Sequence, residues 1–397
     1  MSRSANSLAA AWAINSLAYS IVYPFIPIYL HQERGFPMSE VGIIFPLMGL
    51  AVILSPSLSG WMADRIGRHF MMQFGQISRA VVFFILAVMA MFQSPLWLFA
   101  VMLMVNAAAG TFFGVGADAY LTDITSLAER PTIYGRIRIG TNIGWALGPM
   151  LGAFLARTPF SLLFALTAIL CLVGALHTKI NCREAVREHD EHATTTVPGI
   201  FRDYQLLKLL ACSFLLFLLT SQLYSIMSVY ATGVIGVSRN ALGMVYSVNG
   251  FAVIFCQIPV VRIMDKLNIG QTRRLVGGAV FYALGYVSLA FCSNGWQLAL
   301  AVFTLTLGEV IVMPSLYVSI SGLAPRSGIG RYMAALGFTR GVGYAVGPWV
   351  GSLAFDKYQG QPLMLWGLLS LFAVFAAGGF WLISERKQSH SDKHHQL

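Results

Sequence analysis

Long runs of apolar residues alternate with short polar turns along almost the whole chain. A helix needs about 20 mainly apolar residues to cross a bilayer, and the runs reach that length repeatedly. The pattern therefore predicts an all-α integral membrane protein with twelve transmembrane helices. The predicted segments are 8–30, 39–62, 70–92, 96–121, 137–156, 159–178, 205–231, 239–261, 274–292, 296–322, 332–355 and 362–384.

The long polar stretch from Lys179 to Asp203 divides the twelve segments into two groups of six. Its mixed charges are typical of a solvated linker, and we assign it no chemistry. The predicted organisation is a six-helix bundle at 1–178, a cytoplasmic linker at 179–203, a second six-helix bundle at 204–384 and a cytoplasmic tail at 385–397.

The second half repeats landmarks of the first at a nearly constant offset. Because each half begins on the inside after six crossings, we predict parallel repeats related by a pseudo-two-fold axis along the membrane normal. The matched landmarks are residues 144–152 with 343–351, Asp64 with Asp265, and Gly110 with Gly308.

Composition supports a membrane protein, since 57% of the residues are hydrophobic and only 11% are charged, against about 25% charged in soluble domains. The net charge of +10 follows from topology and predicts no nucleic-acid partner. With a cytoplasmic N-terminus, 22 of the 26 Lys and Arg lie in inner loops, tails or helices, mostly near their inner ends. This bias predicts a multi-pass inner (plasma) membrane protein with both termini in the cytoplasm. The outer exceptions are Arg34, Arg157, Arg239 and Lys357.

Enzyme chemistry has no support in the sequence. The five cysteines are scattered and match neither a metal site nor a disulfide framework. No nucleophile–base pair or phosphate-binding loop occurs, so we predict no cofactor, no metal, no enzyme activity and no ATP-driven pump.

The turn between the second and third segments is unusually rich in charge. Gly60, Asp64 and Arg68 are spaced by four and share a helix face. Gly60 is small enough to let another helix approach. Asp64 can receive the N-terminal dipole of the helix that starts near Arg331. Arg65 or Arg68 can pair with Asp123, at the inner end of the fourth segment.

The chain resembles the major facilitator superfamily over essentially its whole length. Residues 60–68, including Gly67, match that family's signature between helices 2 and 3, and residues 144–152 match the helix 5 signature of its antiporter branch. The resemblance implies the major facilitator fold and a charge network that latches the inner side shut in the outward-open state. A topological anchor with a solvated acid is the alternative. The second-half copy has Asn268 and Ile269 in place of Gly67 and Arg68, which implies a latch dominated by the first half.

The glycine-proline pattern recurs in both halves and puts small residues on one helix face. Small residues allow backbones to touch, and proline bends a helix by removing a hydrogen bond. We interpret the pattern as a flexible seam against the other half, with ordinary helix packing as the alternative. The residues are Gly144, Gly148, Pro149, Gly152, Gly343, Gly347, Pro348 and Gly351.

Glu309 lies near the middle of the tenth segment, and Met313 and Tyr317 follow at spacing four. A charge at the centre of a spanning helix costs about 2.5–3.5 kcal/mol and therefore indicates function. We predict that Glu309 couples transport to a proton or a cationic substrate. Arg340 is its possible partner, and a purely structural ion pair between them is the alternative.

Three further polar positions are less decisive. Asp118 belongs either to the inner latch or to the cavity. Arg79 is assigned a structural role near the inner side, where it either snorkels or pairs with Asp118. Antiporters of the family usually carry an arginine on helix 4, four residues before a glycine. That place is Asn106 here, which argues against the usual route of proton transfer but not against transport.

In proteins of this family helices 1, 4, 7 and 10 line the central cavity. The polar and aromatic residues that these segments carry suit an amphipathic neutral or cationic compound. Interfacial belts and helix packing are the alternative for any single tyrosine. The predicted cavity residues are Asn15, Tyr19, Tyr23, Asn106, Gln222, Tyr224, Met313 and Tyr317.

The sequence therefore predicts a monomeric secondary transporter that works by alternating access. Its preferred function is proton-coupled efflux of a small amphipathic or cationic organic compound. A uniporter or proton symporter for a sugar, metabolite or lysolipid is the first alternative, and a non-transporting receptor on the same fold is the second. Substrate identity and transport direction do not follow from one sequence.

Overall fold

Each apolar segment folds as a helix, since backbone N–H and C=O groups inside a bilayer have only one another as partners. The computed structural model describes residues 3–125, 129–155, 158–182, 202–325 and 328–394. Within these residues the regular secondary structure is helical. Residues 183–201 of the predicted linker and 395–397 of the predicted tail lie outside the described residues.

All twelve predicted helices are present in the described part of the chain, so the all-α prediction is confirmed. They are α1 (Arg3–Val22), α2 (Met38–Ile66), α3 (Arg68–Met89), α4 (Leu96–Ile124), α5 (Arg130–Phe154), α6 (Phe160–Asn181), α7 (Tyr204–Thr220), α8 (Arg239–Lys266), α9 (Gln271–Ser288), α10 (Gly295–Leu323), α11 (Ile329–Tyr358) and α12 (Pro362–His394).

Two helices end earlier than their apolar runs predict. After α1 the chain continues as a 3₁₀ turn at Tyr23–Phe25, a short α-helical turn at Ile26–Ile28 and a π-helical turn at Tyr29–Glu33. Proline lacks an N–H donor, and Pro24 and Pro27 lie in these turns, so the regular ladder is interrupted there. After α7 a 3₁₀ turn and a short helix follow in the same way, at Ser221–Tyr224 and Ile226–Gly233.

Hydropathy identifies most of these helices as membrane spans. Ten helical stretches in the described residues are long and apolar enough to cross a bilayer. The two that fall short are α5 and α11, which carry the glycine-proline patterns together with several arginines. The predicted ends were least accurate where charged residues extend a helix. The fifth segment was predicted to begin at 137, and α5 begins at Arg130.

The chain divides into two compact units. The first holds α1 to α6 and also Val237–Gly250, the start of α8, while the second holds α7, the rest of α8 and α9 to α12. At one end of the first unit, α1, α3, α4 and α5 enclose an apolar cluster that also includes Cys182. Its fully buried members include Leu8, Ala11, Met72, Phe113 and Tyr120.

The repeat is visible in the backbone of the turns. Gly35 after the first helix and Gly236 after the seventh both have a positive φ, of 73° and 77°. Gly67 (φ 120°) and Asn268 (φ 50°) form a second such pair, in the turns after α2 and α8. Asparagine is among the few residues that tolerate this conformation, so the predicted loss of the Gly67 equivalent leaves the turn itself intact.

Candidate functional site

A buried arginine lies at the polar centre of the first unit. Arg79, on α3, is only 3% exposed. Its Nε donates to Oδ1 of Asn106 on α4 at 3.0 Å, and its Nη1 donates to Oδ1 of Asn15 on α1. The guanidinium also lies 5.1 Å from the ring centroid of Tyr19. Arg79 therefore joins three helices of the unit.

This arrangement corrects the prediction for Arg79. We placed it near the inner side, as a possible partner of Asp118, yet it lies near the middle of α3 and binds two amides. Asn15 and Asn106 were predicted as separate cavity residues, and the structure brings them together. The signal for Arg79 was present in the sequence, because an arginine in the middle of an apolar run carries the same insertion penalty that drew attention to Glu309.

A second polar residue of α3 escaped sequence reasoning. Gln76 precedes Arg79 by three positions and is fully buried. Neither its Oε1 nor its Nε2 has a hydrogen-bond partner among the described residues. Gly174 of α6 leaves room for this amide, since a Cβ there would lie 2.9 Å from Nε2. A buried amide of this kind interrupts the apolar packing between α3 and α6.

An aromatic cluster adjoins Arg79. The rings of Tyr19 and Tyr23 lie 4.8 Å apart, and Trp145 of α5 contacts both edge-on at 6.1 and 5.9 Å. Phe45 of α2 approaches Tyr23 at 6.3 Å. Both tyrosines were predicted to shape the cavity. Trp145 was missed although it stands inside the glycine-proline pattern.

The glycines of α5 pack within the first unit. A Cβ at Gly144 would lie 2.8 Å from the backbone N of Leu17, and one at Gly148 would lie 2.8 Å from Cβ of Ser20. A Cβ at Gly152 would collide with the backbone of Ile21. These glycines therefore form a close contact between α5 and α1. This face of α5 packs within its own unit, as the helix-packing alternative expects, and the seam against the other half stays a prediction.

A neighbouring face of α5 contacts the start of α8, which belongs to the same unit. A Cβ at Gly250 would lie 2.5 Å from that of Ala146, and one at Gly243 would lie 2.7 Å from the carbonyl oxygen of Pro149. Ser247 Oγ donates to the Ala146 carbonyl at 3.0 Å. Ala146 and Pro149 of the glycine-proline pattern, rather than its glycines, thus contact α8, which belongs to the second half of the sequence.

The second unit repeats the glycine contact with α11 and α7. A Cβ at Gly343 would lie 2.5 Å from that of Phe217, and one at Gly347 would lie 2.6 Å from the Leu218 carbonyl oxygen. Gln222 is fully buried, donates to the Gly347 carbonyl at 2.7 Å and occupies the space beside Gly351. Its amide supports helix packing in this structure, and its role as a cavity residue stays a prediction. Tyr224, two residues further on, is half-buried.

The charged turn between α2 and α3 contains one tight ion pair. Arg68 pairs with Asp123 of α4 and donates to the Ala119 carbonyl at 2.8 Å. Gly67 ends α2 with φ 120° and ψ 145°, a backbone conformation that side chains disfavour. This turn directs Arg68 to α4, so the sequence signature has a direct geometric reason at these two positions.

Other members of the turn behave differently. Arg65 lies 4.8 Å above the Trp61 ring, and Asp64 is exposed. A Cβ at Gly60 would meet no atom of the described residues within 4 Å. Asp118 is exposed on α4.

In the second unit the corresponding acid finds a local partner. Asp265 pairs with Arg274 of α9 at 2.6 Å, and Arg274 Nε donates to the Ile269 carbonyl at 2.7 Å. The Asp265 side chain is 61% exposed, whereas that of Asp123 is 11% exposed. Arg274 was not predicted from the sequence, because the basic residue was expected directly after the turn, at the position that matches Arg68.

Glu309 is half-buried on α10, directly after Gly308, where a Cβ would lie 2.9 Å from the backbone N of Tyr282 of α9. Met313 is half-buried, and Tyr317 is 37% exposed. Arg340 Nη1 lies 3.4 Å from the Tyr317 hydroxyl, which gives this arginine a contact with α10. The predicted face of carboxyl, thioether and phenol is therefore partly accessible, with Arg340 at its Tyr317 end.

The crossings of α3 with α4 and of α9 with α10 are equivalent. A Cβ at Gly75 would lie 2.7 Å from the Ala109 carbonyl oxygen, and one at Gly278 would lie 3.1 Å from that of Gly308. Counting from these glycines, Arg79 corresponds to Tyr282 and Gly110 corresponds to Glu309, one residue away from the match of Gly110 with Gly308 made from the sequence. At this crossing the first unit thus carries a charged side chain, Arg79, on its third helix, and the second unit carries one, Glu309, on its fourth helix.

The second unit also contains an apolar groove between α7 and α11, with a volume of about 600 Å³. Arg331 contributes the charged group among its lining residues. The apolar lining includes Leu207, Leu210, Phe214, Phe338 and Val342.

A further ion pair joins the ends of two helices of the first unit. Arg239, at the start of α8, pairs with Glu33 at 2.6 Å and lies 4.9 Å from the Phe160 ring centroid. Sequence reasoning placed Arg239 in an outer loop and gave it no partner.

Similar proteins share this architecture. The chain is 25% identical over 374 residues to an uncharacterized MFS-type transporter, YqjV, of Bacillus subtilis, with 89% of this chain and 87% of that one covered. It is 24% identical over 387 residues to the multidrug resistance protein MdtH of Escherichia coli, with 94% and 92% covered.

Solved structures agree in fold. The nucleoside transporter NupG has a TM-score of 0.78 at 15% identity, covering 96% of this chain and 99% of that one. A bacterial homolog of the human lysosomal transporter Spinster has a TM-score of 0.80 at 12% identity, with 96% of each chain covered. Residues 8–348 match the sequence pattern of the Major Facilitator Superfamily. The chain is therefore a multi-pass membrane transporter that belongs to this superfamily.

Proposed function

We propose that the protein exports small amphipathic organic compounds in exchange for protons, by alternating access. The observation that carries the proposal is the position of Glu309, a half-buried carboxyl in the middle of an apolar membrane helix. An acid at that depth is costly unless it takes up protons or binds a cation, and either use couples it to transport. Tyr282, Met313 and Tyr317 supply the surrounding surface.

The substrate class has support from two sources. The aromatic cluster of Tyr19, Tyr23 and Trp145 is half-buried, and it suits the flat apolar part of an amphipathic molecule. The relative MdtH is named for multidrug resistance, at 24% identity. The groove between α7 and α11 adds a second apolar surface that ends at a cation.

Alternating access requires contacts that form in one state and break in another. The pair of Arg68 with Asp123 lies where the charged turn meets α4 and is the best candidate for such a contact at the inner side. We place the protein in the inner (plasma) membrane as a monomer, with both termini in the cytoplasm, on the charge bias of its loops.

The test uses inverted membrane vesicles with an acid interior and a pH-sensitive dye. Cationic, neutral and anionic amphipathic compounds are added to vesicles with wild type, Glu309→Gln or the control Glu40→Gln, which removes an exposed carboxyl. We expect substrate-triggered proton release in wild type and the control, and its loss in Glu309→Gln.

Two other results contradict parts of the proposal. Proton release that persists in Glu309→Gln returns this residue to a structural role and directs attention to Asp118 and Asp123. Radiolabel uptake without any proton response contradicts antiport and favours a uniporter, the alternative for a sugar, metabolite or lysolipid. Proton entry together with the substrate favours symport.

A further inference from the structure

The two amides that surround Arg79 are held in a defined orientation. A guanidinium has only hydrogen-bond donors, so the atom that each asparagine turns toward it must be the oxygen. The contacts agree, since Nε and Nη1 reach Oδ1 of Asn106 and Oδ1 of Asn15. In consequence both Nδ2 groups are directed away from the cation.

Among the described residues, neither Nδ2 group has a hydrogen-bond partner. Asn15 and Asn106 are 9% and 2% exposed, and their hydrogen bonds within the described residues are those that Oδ1 accepts from Arg79. Buried amide donors of native proteins are usually paired, and an unpaired one costs free energy. Neither Nδ2 atom is among the side-chain atoms that are sealed from solvent and lack a partner. They are donors that a ligand can use.

The charge of Arg79 has no carboxylate partner in the part of the chain that the structure describes. Two amide oxygens and the Tyr19 ring stabilise it in part. The electrostatic potential around the two Nδ2 groups is therefore positive, which favours an acceptor and disfavours a cation.

We propose that Asn15 and Asn106, oriented by Arg79, form a subsite that binds a hydrogen-bond acceptor or an anionic group of the transported compound. The half-buried rings of Tyr19 and Trp145 lie next to this subsite and contact the apolar part of the same molecule. Arg79 acts as a positioning residue, since the amides stand between it and the ligand. The proposal rests on the proposed transport of an amphipathic compound. It narrows the substrate class to amphipathic compounds that carry a hydrogen-bond acceptor or an anionic group.

The test measures binding alone, so that it is independent of proton coupling. Full-length protein in lipid nanodiscs is titrated with three fluorescent dansyl probes that carry a carboxylate, a neutral amide or a quaternary ammonium group. We expect wild type to bind the carboxylate probe about tenfold more tightly than the ammonium probe, because a hydrogen bond to a charged group is worth that factor. Arg79→Gln should bring the ratio close to one while the neutral probe binds within about threefold of wild type.

Two further variants separate orientation from folding. Asn106→Asp places a carboxylate against Arg79 and removes one donor, so the preference should fall or reverse. The matched control is Arg136→Gln, which removes another arginine that donates to an asparagine oxygen, Oδ1 of Asn6 at 2.5 Å, at an exposed site. It should leave the ratio unchanged.

The outcomes are distinct from those of the proton assay. A wild type that does not bind the carboxylate probe, or binds all three probes equally, overturns the subsite. A preference that survives in folded Arg79→Gln and Asn106→Asp also overturns it. A clear preference in wild type together with absent proton release leaves the subsite standing and contradicts antiport alone.

Discussion

Asn268 has a positive φ in the turn after α8, as Gly67 has in the turn after α2, 201 residues earlier. The two conformations differ in severity. Asn268, at φ 50°, lies in the left-handed helical region that asparagine tolerates, whereas Gly67, at φ 120° and ψ 145°, lies in a region nearly restricted to glycine. The repeat therefore preserves a positive φ in this turn, but only the turn at Gly67 has a backbone conformation that requires glycine.

The reciprocal exchange of these two residues should have unequal effects. Gly67→Asn should destabilise the protein by about 1–3 kcal/mol, because the side chain meets a strained backbone. Asn268→Gly should change stability by less than about 1 kcal/mol. Thermal unfolding of the purified variants in detergent measures both. Equal losses would contradict the assignment.

The exposed and the buried acid of the two repeats should also differ. Asp123→Asn should cost about 1.5–3 kcal/mol, because it leaves the Arg68 guanidinium partly buried beside a weaker acceptor. Asp265→Asn is the matched control and should cost less than about 1 kcal/mol, since this side chain is 61% exposed. A double-mutant cycle of Asp123→Asn with Arg68→Gln gives the coupling free energy between the two side chains. A value near zero would show that the ion pair adds nothing to stability.

The glycine contact between α11 and α7 predicts a steric effect at the glycines of α11 that face α7 and none at a glycine with open space around it. Gly347→Ala should destabilise by about 1–3 kcal/mol, because the new methyl group meets the Leu218 carbonyl oxygen at 2.6 Å and Oγ of Ser221. Gly341→Ala, on the same helix, meets no described atom within 4 Å and should be neutral or stabilising by up to about 1 kcal/mol. Melting temperatures of the two variants decide the matter, and a similar loss in both would contradict the packing.

The ion pair of Arg239 with Glu33 should respond to salt. Glu33→Gln should cost about 0.2–1 kcal/mol at low ionic strength, because both side chains are partly exposed, and the cost should shrink in 1 M NaCl. Arg34→Gln is the control. Arg34 donates to the Ser94 carbonyl at 2.7 Å and to the Tyr29 hydroxyl at 3.0 Å, which are neutral groups, so its loss should depend little on salt. A salt-independent effect of Glu33→Gln would exclude a mainly ionic contribution.

The alternation of apolar runs with polar turns was enough to predict twelve helices, because a helix pairs its own backbone groups inside a bilayer. Mean hydropathy by itself identifies ten of them in the described residues. The repeat and the contact of Arg68 with α4 were also within reach, since both rest on spacing along the chain. Helix ends were less accurate where charged residues continue a helix beyond its apolar run, as at Arg130 of α5.

What the sequence did not predict is which side chains meet. For Gln222 the sequence carried no sign of its hydrogen bond to the α11 backbone, which forms because the glycines of that helix leave room for its amide. Arg79 was expected near the inner side, and it instead gathers Asn15 and Asn106. Spacing fixes the face of one helix, whereas such contacts depend on how three helices are rotated about their own axes.

The hydrogen bonds of Arg79 also bear on how the chain is made. During synthesis α1 leaves the ribosome before α3, and α4 follows it, so Asn15 is in the membrane when Arg79 arrives and Asn106 is not. A lone arginine at the centre of a helix carries an insertion cost of about 2.5–3.5 kcal/mol. The third helix therefore enters the bilayer before Asn106, the second amide partner of Arg79, has been synthesised. Its stable insertion is completed by α4, the helix that is synthesised next.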